Sequence, residues 1–303
     1  MTILLDAILP LPVFGKGKVR DTYDLGDALL IVVTDRISAF DVVLPCGIPD
    51  KGAVLNQIAA FWFEKTTHLV PNHVIKTVNS LDDIKQYVSS IDMLPLYLSG
   101  RSMIVKKANV IPVECVVRGY LSGSAWEEYK KQGTISGLKQ PTGLRESEEL
   151  PQPLFTPTTK AQTGHDMPLT WQEMEKLIGT RLANEVREKS LSVYSYAREY
   201  ARQRDLIIAD TKFEFGIIDG DVCLVDEVLT PDSSRFWAVK NYAVGRSQPS
   251  FDKQPVRDWL EKSGWNKQPP APMLPEDVIQ ATSIRYRKAY RLITGRELQY
   301  VSG

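Results

Sequence analysis

The chain has 303 residues, 43% hydrophobic and 24% charged, enough for one large or two ordinary globular domains with a sizeable core. Its 37 Lys and Arg balance 37 Asp and Glu, so no global field recruits nucleic acid or an anionic membrane. No apolar run reaches transmembrane length, and residues 1–12 lack the basic start and cleavage site of a signal peptide.

Phe14 to Asp21 reads as a glycine-punctuated basic loop, followed by strands Tyr23 to Leu25 and Leu29 to Thr34 around a Gly26-Asp27 turn. Glycines let backbone N–H groups approach a phosphate, and Lys16 and Lys18 supply point charges. The spacing is not that of a Walker loop. It is nearer the glycine-rich hairpin that covers phosphates in kinase-like folds, and a basic surface hairpin explains it as well. Thr34 to Asp41 packs polar groups between two apolar anchors, as a structured loop facing a polar ligand would. A self-capping turn of Asp35, Ser38 and Asp41 reads the same residues equally well.

Gly52 to Thr67 is a predicted helix with Leu55, Ile58, Ala59, Trp62 and Phe63 on one buried stripe. His68 and His73 follow without metal-ligand spacing and read as surface or capping histidines. Cys46, Cys115 and Cys223 are scattered and apolar-flanked, which predicts buried free thiols and a reducing, cytoplasmic setting. Arg101 to Val117 reads as two strands separated near Asn109, and Ala125 to Lys131 as a short helix. Between them, Arg118, Ser122 and Ser124 at a glycine-rich helix start suit a phosphate monoester, or an ordinary Ser-capped helix with a surface Arg.

Gln140 to Thr158, rich in proline, reads as a surface crossing rather than a core element. It leads to Lys160, a candidate for closing over a nucleotide or a plain surface lysine. Thr170 to Glu173 is a capping box before a helix ending near Gly179, and a second helix spans Thr180 to Arg204. Further helices are predicted over Pro255 to Lys262 and Pro275 to Thr294. On the last, Arg285, Arg287, Lys288 and Arg291 read as a solvated basic face.

The stretch Asp205 to Trp237 is where the chemistry concentrates. Leu206 to Ala209 reads as a buried strand, and Phe213, Phe215 and Ile217 then alternate with Lys212 and Glu214, which share a face. Asp219-Gly220 marks a hairpin turn, and the return strand delivers Asp226. A two-residue loop would put Glu214 and Asp226 on opposite faces. A three-residue loop would put Lys212, Glu214 and Asp226 together, a set that would hold Mg²⁺ and a phosphate, and that register is the expectation. A solvated hairpin face of mixed charge is the plainer alternative. The continuation Thr230 to Trp237 places hydroxyls, Asp232 and Arg235 beside an aromatic pair, which suits an anionic small molecule.

Six motifs in order are similar to those of the phosphoribosylaminoimidazole-succinocarboxamide synthase (SAICAR synthetase) family, in its larger form. They are GKGKVRDTY at Gly15 to Tyr23, TDRISAFD at Thr34 to Asp41, VVRGYLSGSAW at Val116 to Trp126, FTPTTKAQTGHD at Phe155 to Asp166, ADTKFEFG at Ala209 to Gly216 and VDEVLTPDSSRFW at Val225 to Trp237. The resemblance implies an α+β fold with a β-rich N-terminal lobe (residues 1–113) and a larger α+β C-terminal lobe (residues 114–303), with ATP in the cleft between them. It implies ATP- and Mg²⁺-dependent joining of L-aspartate to the carboxylate of carboxyaminoimidazole ribotide (CAIR) in purine biosynthesis, through an acyl phosphate. Lys16, Lys18 and Lys160 would then contact ATP phosphates and Lys212 the transferring phosphoryl group, with Glu214 and Asp226 as Mg²⁺ ligands. Arg118, Ser124 and Arg235 would clamp the ribotide phosphate, Asp210 would orient the imidazole or Lys212, and Ser38 and Asp41 would lie near the ribotide and aspartate. Small-molecule substrates, no nucleic-acid or membrane partner, and a monomer complete the expectation. A small-molecule kinase using the same ATP site and a non-catalytic nucleotide-binding module are the alternatives.

Overall fold

The computed structural model describes residues 3–88, 93–160 and 166–298. A first antiparallel sheet begins with β1 (Val13–Lys16), β2 (Arg20–Asp24) and β3 (Ala28–Val33). The chain leaves it through the hairpin β4 (Arg36–Ala39) and β5 (Val42–Gly47) and helix α1 (Lys51–Thr66), then returns as β6 (Val74–Val78) and β7 (Ser102–Lys106). The strand order is β1-β2-β3-β7-β6.

The second sheet opens with β8 (Asn109–Tyr120). After α2 (Ser124–Gln132) come the small pair β9 (Thr134–Ile135) and β10 (Leu138–Lys139), then β11 (Glu149–Phe155) and β12 (Thr158–Thr159). Helices α3 (Trp171–Ile178) and α4 (Thr180–Arg202) lead into β13 (Leu206–Ile218), β14 (Asp221–Val225) and β15 (Ser234–Ala238). Helices α5 (Gln254–Lys262) and α6 (Glu276–Thr294) follow. The order is β11-β8-β13-β14, with β12 on β8 and β15 on β13.

The α+β class expected from the sequence is the one observed. Phe213 and Phe215 of β13 and Leu55, Ile58, Trp62 and Phe63 of α1 are buried in one core with Tyr286 of α6. Each such large apolar side chain contributes about 2 kcal/mol by leaving water. The Thr170 capping box forms as read: the Thr170 side chain accepts from Glu173 N, and the Glu173 side chain accepts from Thr170 N. All three cysteines are free and buried.

Four expectations need correction. The loop between β13 and β14 has two residues, not three: Ile218 faces Asp221, and Asp219 and Gly220 both take positive φ, as a type I′ turn requires. The proline-rich crossing contains β11, whose Pro151 and Pro153 fall where its register with β8 is interrupted, so the missing N–H groups cost no ladder bonds. Thr34 to Asp41 is the start of a hairpin rather than a loop. Its Asp35 is 1% exposed and accepts from Leu4 N, Gly52 N and Arg101. His73 lies inside the protein at 3% exposure, against the Phe63 ring.

Candidate active site

The site exists because β13 has a divided edge. One side of this strand pairs with β8 from Asp210 to Ile217, while the other is shared by β15 at Leu206 to Thr211 and β14 at Glu214 to Ile218. The chain between β14 and β15 crosses the gap, and Lys212 N donates to Ser233 O there at 2.9 Å. Strand periodicity then sends Asp210, Lys212 and Glu214 to the face opposite the buried phenylalanines.

Across from these three stand Arg118, Val116 and Glu114 of β8, in antiparallel register. Arg118 Nη1 lies 3.3 Å from Asp210 Oδ2, Lys212 is ion-paired to Glu114, and Lys160 is ion-paired to Glu214. Burial opposes the charge on Lys212, but Glu114, with Glu214 and Glu227 behind it, raises its pKa above the usual lysine value. Burial pushes the Glu114 carboxyl up against the pull of Lys212.

The two-residue turn places Glu214 opposite Val225, so continued pairing would have carried Asp226 to the other face. Asp226 instead follows the end of β14 with φ 65°, a left-handed conformation that turns the chain out of the ladder. There its carboxylate feels Glu214, Lys160 and Lys212 and pairs with Arg20 Nη2 at 2.6 Å. Burial raises the Asp226 pKa, Arg20 opposes that, and Glu214 adds to it. The expected register does not form, and a left-handed turn at Asp226 takes the chain out of the ladder instead.

Beside it is a cavity of about 340 Å³ lined by Ser38, Asp41, Arg118, Ser124, Asp210, Lys212 and Arg235, seven of the residues singled out from sequence. Arg235 and Arg118 both reach Asp210, and Arg118 Nη2 lies 3.4 Å from Ser124 Oγ at the start of α2. Arg235 lies over Gly123, whose φ of 57° favours glycine, and a Cβ there would stand 2.5 Å from Arg235 Nη2 and displace it. The carboxylate of Asp210 raises the Arg235 pKa. Two guanidiniums and a hydroxyl at a helix N-terminus are groups that favour an anion.

Lys16 and Lys18 stand apart from this cluster. Both are exposed at the β1–β2 hairpin, where Lys16 pairs with Asp6 at 2.6 Å and Lys18 with Asp41. Sequence reasoning missed Arg20, Glu114, Lys51, Lys253 and Arg257. Lys51 is wholly buried and ion-paired with Asp232 at 2.9 Å, and Lys253 and Arg257 line the cavity. Glu114 alone had a signal, a charge inside an apolar strand pattern. Residues 161–165 of the Phe155 to Asp166 motif lie outside the described residues.

Within an antiparallel α+β architecture, Lys212, Asp210 and two arginines thus line one cavity, the arrangement of a small-molecule site. The model of the SAICAR synthetase family matches residues 13–272, and the chain belongs to that family. It is 52% identical to the phosphoribosylaminoimidazole-succinocarboxamide synthase of Thermodesulfovibrio yellowstonii over 92% of this chain and 94% of that protein. The Geobacter metallireducens synthase is 50% identical over 94% of this chain and 95% of its own. A solved SAICAR synthase of Saccharomyces cerevisiae, complexed with SAICAR, superposes with a TM-score of 0.84 at 42% identity, covering 99% of each chain. The chain is therefore an ATP-dependent ligase that makes SAICAR in purine biosynthesis, which sets aside the kinase and the non-catalytic module. No helix among the described residues is long and apolar enough to cross a membrane.

Proposed function

We propose that the enzyme joins L-aspartate to the carboxylate of CAIR in two steps at the face of β13, with the N-terminal lobe (residues 1–113) covering the nucleotide and residues 114–303 holding substrate and metal. The γ-phosphoryl group of ATP passes to the CAIR carboxylate, giving an acyl phosphate and ADP. The aspartate amine then attacks the acyl carbon, the C–N bond forms, and inorganic phosphate leaves with the C–O bond electrons while the amine loses a proton. Neither step needs a covalent enzyme nucleophile. Charge at the transferring phosphoryl group is the main demand, and Lys212, kept cationic by Glu114, meets it.

The observation that carries this reading is the alternation of Asp210, Lys212 and Glu214 on one strand face between the arginine clamp and Lys160. Arg118, Ser124 and Arg235 bind the ribotide phosphate, and Asp210 fixes both guanidiniums. Lys160, Lys16 and Lys18 exchange their carboxylate partners for ATP phosphates when the nucleotide binds. Ser38 and Asp41 face the ribotide and the amino acid.

Mg²⁺ fits this donor set. The charge of Glu214 adds to the raised pKa of Asp226, a repulsion that a bound cation would relieve. Two carboxylates suffice for an ion completed by phosphate oxygens and water. Bound there, Mg²⁺ would neutralise triphosphate charge. A monomer in the cytoplasm is the accompanying reading. Titrating activity with Mg²⁺ in the wild type and in Glu214→Gln tests the assignment. A raised Mg²⁺ requirement in the variant supports it, and an unchanged titration with full activity contradicts it.

A further inference from the structure

The basic residues of α6 fall into two kinds. Arg287 lies 3.5 Å from Asp50 and Arg291 3.6 Å from Glu297, so each has a carboxylate partner. Arg285 Nη1 instead donates to the backbone Ser250 O at 2.9 Å, and Lys288 Nζ lies 5.7 Å from the centre of the Phe251 ring. Among the described residues neither has a carboxylate partner, and nor does Lys240. These three cations line one cavity of about 410 Å³ between α6, the end of β15 and the chain at Ser250. Asp205 is the one acidic residue on its lining among the described residues. Phe251, Leu292 and Ile284 give it apolar walls, and Ile284 is 56% exposed. It shares no lining residue with the cavity beside β13.

We propose that this groove is a second ligand site, for a small organic anion that joins a flat apolar body to a phosphate, sulfonate or carboxylate group. It goes beyond the ligase reading and does not depend on it. Three cations against one carboxylate leave the groove positive, which favours an anion. A bare inorganic ion would use that charge and leave Phe251, Ile284 and Leu292 facing water. A neutral apolar molecule would cover those walls and gain nothing from the charge. Only a ligand with both parts answers the whole lining. Lys288 beside the Phe251 ring brings the two kinds of surface together, and Arg285, tied to Ser250 through Nη1, keeps its remaining donors for the anion. The volume falls within the roughly 300–1,000 Å³ usual for small-molecule sites.

Fluorescence titration with 8-anilinonaphthalene-1-sulfonate, an aromatic body carrying one anionic group, tests the site. Saturating ATP and Mg²⁺ are present throughout, to keep the probe out of the nucleotide cleft. The wild type is expected to show one saturable site, and the double variant Lys240→Glu/Lys288→Glu to bind about tenfold or more weakly. Ile284→Glu, a change at an exposed position, should weaken the probe in the same direction. N-phenyl-1-naphthylamine, the same body without the sulfonate, is expected to bind the wild type about tenfold or more weakly than the anionic probe. Turnover of the variants without probe stays within about twofold of the wild type, since none of these residues lines the catalytic cavity. Absence of saturable binding to the wild type would overturn the proposal. So would undiminished binding to the double variant, or equal affinity for the neutral analogue.

Discussion

Arg20 Nη2 stands 2.6 Å from Asp226 Oδ2, an ion pair that joins the first sheet to the second across 206 positions of sequence. Arg20 also reaches Glu227 at 3.3 Å. The first sheet thereby supplies the countercharge for a carboxylate that burial and Glu214 would otherwise drive towards protonation. If turnover needs Asp226 ionised, removing Arg20 raises an already elevated pKa further. The acid limb of the kcat/KM profile of Arg20→Met is expected to move up by about one pH unit or more. A limb at the wild-type position would show that Asp226 ionisation does not govern turnover.

Glu214→Ala and Asp226→Ala each remove half of the carboxylate pair. Activity is expected to fall by about 100-fold or more in either, with far-ultraviolet circular dichroism unchanged. Near-normal turnover in one of them would remove that residue from the metal site.

Arg235 closes on Asp210 beside Arg118 and packs on Gly123. Arg235→Ala is expected to raise the ribotide KM roughly 30-fold or more and the ATP KM by little. Equal effects on both substrates would move Arg235 out of the phosphate clamp.

Burial lowers the pKa of His73 to about 3, and its Nε2 has no hydrogen-bond partner. The folded state thus keeps the imidazole neutral, while the unfolded chain takes up a proton near pH 6.5. His73 costs nothing above that value, and stability is lost as pH falls from 6.5 towards 3. Comparing urea unfolding of the wild type and His73→Phe at pH 7 and pH 4.5 reads this directly. The stability difference between them is expected to shift by about 2–3 kcal/mol in favour of the variant at the lower pH. A constant difference would show that His73 does not carry the acid sensitivity.

Local signals in the sequence make much of this legible. Period-two alternation identified the shared face of Lys212 and Glu214, and capping chemistry located the start of α3. The turn after β13 differs from the expected three-residue loop, which would have set Asp226 on the Glu214 face. Asp219 tolerates positive φ, so the two-residue loop forms, and a second positive φ at Asp226 turns the chain out of the ladder. Backbone reversal at one residue leaves no period in the sequence. Arg20, Glu114 and Lys51 went unassigned for another reason. Their partners Asp226, Lys212 and Asp232 are brought close by sheet pairing and helix packing over long separations, which no local pattern encodes. β11 was hidden by Pro151 and Pro153, which argue against a strand unless its register is interrupted where they fall.

The most direct test of the account is ADP release by the wild-type enzyme with ATP, Mg²⁺ and CAIR, measured with and without L-aspartate. The expected result is turnover that depends on aspartate, with one SAICAR formed for each ADP. ADP release at the same rate without aspartate would contradict ligation through a retained acyl phosphate.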